Sequence, residues 1–170
     1  ALMLLIVAGA AIAVGRKFRM RAPLTVIALL PIIAVTLKIT GGWTGHGIVD
    51  LASRFSEERA ASFEFRVLNE EMLIEKARVR SVFGWGGWGR SRIYDVEGND
   101  ISVTDSFWII IFGELGIVGL VAFAGIIAGP VLAFLRRYPP RTWRDVAVAR
   151  AVPLAALLAM YFVDSIVNDM

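Results

Sequence analysis

The nine residues Gly84-Trp85-Gly86-Gly87-Trp88-Gly89-Arg90-Ser91-Arg92 gather four glycines, two tryptophans and two arginines. Glycine opens backbone conformations with positive φ, in which successive amides turn inward on an anion, and guanidinium groups grip phosphate oxygens bidentately. Trp85 and Trp88 offer flat apolar faces to a sugar ring or a lipid. Trp85, Gly86, Trp88, Arg90 and Arg92 are therefore candidate binding residues, and a phosphate-bearing glycolipid would satisfy all three features. The same composition suits an interfacial Gly-Trp turn with snorkelling arginines. The sequence leaves both readings open.

Further along, Ile101-Ser102-Val103-Thr104-Asp105-Ser106 leads into an apolar run. Asp105 is a candidate catalytic carboxylate, although Asp105 or Thr104 equally suits the N-cap of the helix that follows. Glu114 is a second candidate. On one continuous helix it would lie about half a turn round from Asp105 and ~13.5 Å along, so the two carboxylates would not share a reacting atom as a glycosidase pair must.

Four apolar segments must position these groups: residues 1 to 14, about 22 to 37, 106 to 135 and 146 to 163. Each reads as a membrane span, because a helix needs roughly 20 apolar residues to cross ~30 Å of hydrocarbon. Basic residues cluster after the first span (Arg16, Lys17, Arg19, Arg21) and after the third (Arg136, Arg137, Arg141, Arg144). The positive-inside rule puts both connections in the cytoplasm. The 68-residue segment 38 to 105 then lies outside, and it carries nine Lys or Arg against eleven Asp or Glu. The expected fold is an all-α integral membrane protein: two transmembrane helices in 1 to 37, an extracytoplasmic catalytic or binding loop at 38 to 105, two more helices in 106 to 163 and a short outer tail at 164 to 170.

Ser56, Glu57 and Glu58 form a helix start inside the loop, and the pattern runs to about Val82 without Gly or Pro. Phe65, Leu68, Met72, Val79 and Phe83 draw an apolar stripe down this amphipathic helix, predicted to lie on the membrane surface or on other helices. Arg66, Glu70, Leu73, Ala77 and Arg80 fall on a neighbouring face, where an Arg66/Glu70 pair would contribute only ~0.2 to 0.5 kcal/mol. Trp43, Phe107, Trp108, Tyr138, Trp143 and Tyr161 fall near span ends as an aromatic belt would. Pro31, Pro130 and Pro153 interrupt backbone hydrogen bonding, and Gly113, Gly116, Gly119, Gly125 and Gly129 would let another backbone approach.

The net charge of +3 comes from the connections and gives no reason to expect nucleic acid. With no cysteine and His46 as the single histidine, a zinc site is not expected. Ala1 stands inside a short apolar run with no basic segment before it, which reads as a first helix missing its N-terminal part.

The order of an outward helix with Arg66, then Val82-Phe83-Gly84-Trp85-Gly86 with Gly89, then Asp105-Ser106 leading into Gly113-Glu114-Leu115-Gly116-Ile117-Val118-Gly119-Leu120, resembles the C-terminal half of the O-antigen ligase and O-antigen polymerase superfamily, over roughly residues 40 to 135. The resemblance implies a polytopic enzyme of the bacterial plasma membrane, with further helices N-terminal to these residues. Such an enzyme transfers or polymerises glycan from an undecaprenyl-diphosphate-linked donor onto a glycan or glycolipid acceptor at the outer face, among membrane lipids and without cofactor or metal. Arg66 matches the arginine of the family's outward helix, and Arg90 follows the glycine turn at the place of a second diphosphate-binding arginine. Ligases of the family have histidine where this chain has Asp105, and other members have aspartate, so the resemblance favours polymerisation or a related transfer over ligation. Two other classes compete: a transporter or flippase for a lipid-linked glycan, suggested by the Pro and Gly interruptions and Glu114, and a membrane scaffold whose outer loop binds a partner. Transport would place the decisive polar groups near the midplane, whereas here they concentrate in the loop.

Overall fold

The computed structural model describes residues 2–43, 45, 47, 49, 53–54 and 56–168; His46 lies outside them. Among the described residues the regular structure is helical, with no strand: α1 (Leu2–Phe18), α2 (Ala22–Thr40), α3 (Glu57–Arg78), α4 (Phe107–Arg137), a 3-10 turn (Pro140–Thr142), α5 (Val146–Ala149) and α6 (Ala151–Val167). Three helical segments are long and apolar enough to cross a membrane: Ala22–Thr40, Phe107–Arg137 and Val146–Ile166, the last running from α5 into α6 through the helical backbone of Arg150. The first expected span is helical over the 17 residues of α1, with Arg16 and Lys17 in its last turn. Of the tail expected at 164 to 170, residues 164–167 continue α6.

The chain divides into two compact units whose borders fall inside α2, α4 and α6. One unit comprises residues 1–33 and 122–166. Its core interleaves small side chains (Ala8, Ala11, Ala28, Ala156, Ala159) with Leu24, Val131, Leu135, Val152 and Met160, as helices that meet closely require. Trp143 is 0% exposed, stacks near Phe134, and donates its indole N–H to the Tyr138 carbonyl at 3.1 Å. A Cβ at Gly15 would lie 2.7 Å from the Trp143 ring, so the glycine makes room for it. Trp143, and Trp108 at 1% exposure in the other unit, are thus internal anchors, unlike Trp43, Tyr138 and Tyr161, which stay exposed as a belt would have them. Pro31 is buried inside α2, and Pro153 falls in the first turn of α6, where a missing amide removes little. Around Gly125 and Gly129 there is open space, and among the described residues no other segment comes within 4 Å of where a Cβ would stand.

The second unit comprises residues 34–121 and the last four of the chain. Here α3 ends at Arg78, a turn earlier than its sequence pattern predicts. The reason lies in α4, which is not continuous. Gly116 has φ 67° and ψ −160°, a conformation open to glycine and hostile to other residues, so two helices meet at a break. The preceding segment fills it. Trp85 and Gly86 donate their amides to the Gly113 and Glu114 carbonyls at 2.8 and 2.9 Å, and Ile117 and Val118 donate theirs to the Ser81 and Val82 carbonyls at 2.8 and 3.2 Å. Residues 81 to 86 therefore leave the helical pattern to satisfy the groups that the break frees. A Cβ on Gly84 would run into the Glu114 carbonyl, and one on Gly116 into that of Val82.

Candidate functional site

The helix α3 organises the site along one face, and that face is not the apolar stripe. Phe65, Leu68, Met72, Val79 and Phe83 are exposed, whereas Asn69, Leu73, Ile74 and Ala77 are buried.

Starting from the N-terminal end of that face, the Arg66 Nε lies 3.5 Å from the Asp105 Oδ2, with the two side chains 50% and 31% exposed. Sequence spacing alone does not pair them. Asn69 does so, one turn along α3: its side-chain carbonyl accepts the Val103 amide at 3.0 Å, while its amide group donates to the Phe65 carbonyl at 2.9 Å. Holding Val103 sets Asp105, two residues on, beside Arg66. The helix α4 begins at Phe107, so Asp105 precedes it and the half-turn relation to Glu114 does not apply. Among the described residues Asp105 accepts no α4 amide, and the amide of Phe107 goes to the Asn168 carbonyl at 3.2 Å. This argues against the capping role.

Glu70 is not the partner of Arg66. It pairs with Lys38 at the end of α2 and accepts the buried Trp108 indole N–H at 3.1 Å, joining three helices through side chains that are both only 15% exposed at the ion pair. Lys38 also stands 5.3 Å from the Trp43 ring and 5.8 Å from that of Trp108. Farther along, Lys76 donates to the Arg92 carbonyl, and Trp85 donates its indole N–H to the Lys76 carbonyl at 3.0 Å, with Arg80 4.5 Å above its ring. Glu70, Asn69 and Lys38 are the positioning residues that sequence reasoning missed. Their signal was present, since Asn69, Glu70, Leu73 and Ala77 share a helical face, yet no pattern names the distant partners.

The glycine turn is thus partly committed to structure. The Trp85 ring is held, and the amides of Trp85 and Gly86 are engaged at the α4 break, so neither amide is open to an anion. Arg92 pairs with Asp100 at 2.7 Å and lies 5.7 Å from the Trp88 ring. Trp88 itself is 82% exposed. Arg90 is exposed, with its guanidinium lying beside Gly87. Trp88, Arg92, Thr104 and Glu114 come together around a small cleft of about 20 Å³, floored by Gly113, where a Cβ would lie 2.7 Å from that of Ser91. The structure thereby groups Arg66 with Asp105, and Glu114 with Trp88 and Arg92.

The loop between these groups is built on carboxylates. Asp95 accepts the amides of Glu97 and Asn99 at 2.9 and 2.8 Å, and hydrogen bonds from Asn99 hold its carboxyl below the usual range despite some desolvation. For Asp100, burial pushes upward, but hydrogen bonds from Ser102 and Arg92 outweigh it and the net shift is downward. Among the described residues, no cluster of three His, Asp or Glu side chains is placed to hold a metal. No family model, no curated protein and no solved structure matches this chain.

Proposed function

We propose a membrane glycosyltransferase that transfers or polymerises glycan from an undecaprenyl-diphosphate-linked donor at the outer face of the plasma membrane. The observation that carries this reading is the Arg66/Asp105 pair, in which a phosphate-binding group and a proton acceptor stand 3.5 Å apart and half open to solvent. An exposed pair of this kind contributes only ~0 to 1 kcal/mol, so a diphosphate able to take two hydrogen bonds from a guanidinium displaces the single carboxylate. Donor binding to Arg66, with Arg90 as a second cation, thereby frees Asp105. The acceptor hydroxyl oxygen then attacks the anomeric carbon, its proton passes to the Asp105 carboxylate, and the bond from that carbon to the diphosphate breaks with its electron pair leaving on the undecaprenyl diphosphate. Trp88 offers the exposed ring for a sugar, and Glu114, across the cleft from Arg92, positions it.

A transporter would use a broken helix, because freed backbone groups at a break coordinate a passing solute. At Gly116 four of those groups are already bonded to residues 81 to 86. That is why the transfer reading is preferred.

The test is Asp105→Asn in purified protein supplied with lipid-linked donor and acceptor. Transfer should slow at least ~100-fold, the low end of general-base catalysis, while donor binding is kept or tightened because the competing carboxylate charge is gone. Wild-type turnover would remove Asp105 from the chemistry and favour the transporter or scaffold.

A further inference from the structure

The unit formed by residues 1–33 and 122–166 contains a second concave site, far more basic than the first. Arg16, Lys17, Arg19, Arg141 and Arg144, with Pro140, line a cleft of about 290 Å³. Among the described residues none of these five cations is in an ion pair, although Lys17 lies 5.5 Å from the Phe18 ring. Cations at a helix C-terminus and in a cytoplasmic connection are ordinary. Two details go beyond that.

Arg16 is held in place by donating an Nη hydrogen to the Trp143 carbonyl at 3.0 Å, yet its Nε is buried without any hydrogen-bond partner. A buried unsatisfied donor costs about 1 to 3 kcal/mol, more when charged, unless a bound group takes the bond. Arg19 has φ 55°, and is the single non-glycine with positive φ among the described residues. It occupies the left-handed position that ends α1, with the Met20 amide returning to the Gly15 carbonyl at 3.1 Å. Glycine fills such positions without strain, whereas a side chain there costs roughly 1 to 2 kcal/mol. The residue held in this conformation is one of the cations lining the cleft.

We infer that this cleft binds a phosphate-bearing anion. Five cations with no ion-pair partner among the described residues, converging on a concave site, suit several phosphate oxygens at once. The ligand is either the headgroup of an anionic membrane lipid or a soluble phosphate. The inference is independent of the glycan chemistry above.

Native mass spectrometry of the purified chain in zwitterionic detergent, with equal amounts of phosphatidylglycerol and phosphatidylcholine, reads the lipid arm; calorimetric titration with inorganic pyrophosphate in phosphatidylcholine nanodiscs reads the soluble arm. Retained phosphatidylglycerol should exceed phosphatidylcholine by roughly tenfold or more, and the combined Arg19→Gly, Arg141→Gln, Arg144→Gln variant should abolish that preference. Arg19→Gly relieves the strained backbone, so it should leave the thermal midpoint unchanged or raised while weakening anion retention. Pyrophosphate binding that the same variant abolishes, without lipid preference, assigns the site to a soluble phosphate. Absence of both signals overturns the inference. So does an equal loss in Arg136→Gln, Arg137→Gln, which removes two exposed cations outside the cleft and would mark a diffuse field.

Discussion

In the unit around α3 most described cations already have a partner. Lys38 holds Glu70, Arg66 holds Asp105, Arg92 holds Asp100, Arg78 donates to the Ile39 carbonyl, and Lys76 donates to that of Arg92. In the unit around Trp143 the five cations of the basic cleft have no carboxylate. The first arrangement fixes geometry, because each pair ties one segment to another, and only the least buried pair is easily exchanged for a ligand. In the second, the charge is left over and is satisfied from outside. Arg90, exposed and with no carboxylate partner among the described residues, is the cation of the first unit proposed to join Arg66 on the leaving group.

The broadest way to break this comparison is to ask on which side of the membrane each charge pattern lies. The chain has no cysteine, so an engineered one is its sole thiol. In intact cells Ser62→Cys and Asn99→Cys should react with a membrane-impermeant thiol reagent, and Asp145→Cys should react only after permeabilisation. Labelling of Asp145→Cys alone would invert the topology.

Within the paired unit, burial should separate structure from chemistry. Glu70→Ala leaves Lys38 without its carboxylate and the Trp108 indole without its acceptor, in a setting only 15% exposed. It should lower stability in detergent by about 3 kcal/mol. Asp105→Asn should change it by less than ~1 kcal/mol, and an equal loss in both would undo the distinction. Arg66→Lys comes next. It keeps the charge but loses the planar fork, so transfer at saturating acceptor should fall by roughly tenfold, and full activity in Arg66→Ala at normal abundance would exclude the residue.

The smallest effect is on pH. The Asp95 and Asp100 carboxyls are depressed in the folded chain, so what they contribute to loop order is present above the unfolded carboxylate range, about 3.9, and is lost as pH falls through their lower folded values. Amide resonances of Glu97, Asn99 and Ser102 should hold constant from neutral pH down to about 4 and shift below it. Movement between pH 6 and 7 would contradict the assignment.

Hydropathy made the three long apolar helices legible, and the Ser56-Glu57-Glu58 start made α3 legible, because both are local properties. Arg66 and Asp105 were visible as separate candidates, but their meeting depends on Asn69 holding Val103, a contact between residues 34 apart in sequence. Glu70 was misassigned for a related reason: helical spacing offered Arg66 as neighbour, and the less exposed environment of Lys38 and Trp108 won. The α4 break was invisible since Leu115 to Leu120 reads as unbroken apolar helix, and only the return of residues 81 to 86 makes Gly116 a corner.

That corner also orders events during synthesis. Residues 81 to 86 leave the ribosome before residues 113 to 118, so the backbone that will donate two and accept two of the break's four hydrogen bonds exists before the break is made. The apolar run after Gly116 is therefore made with its partner already present, and the peptide groups exposed at the break need not seek another segment.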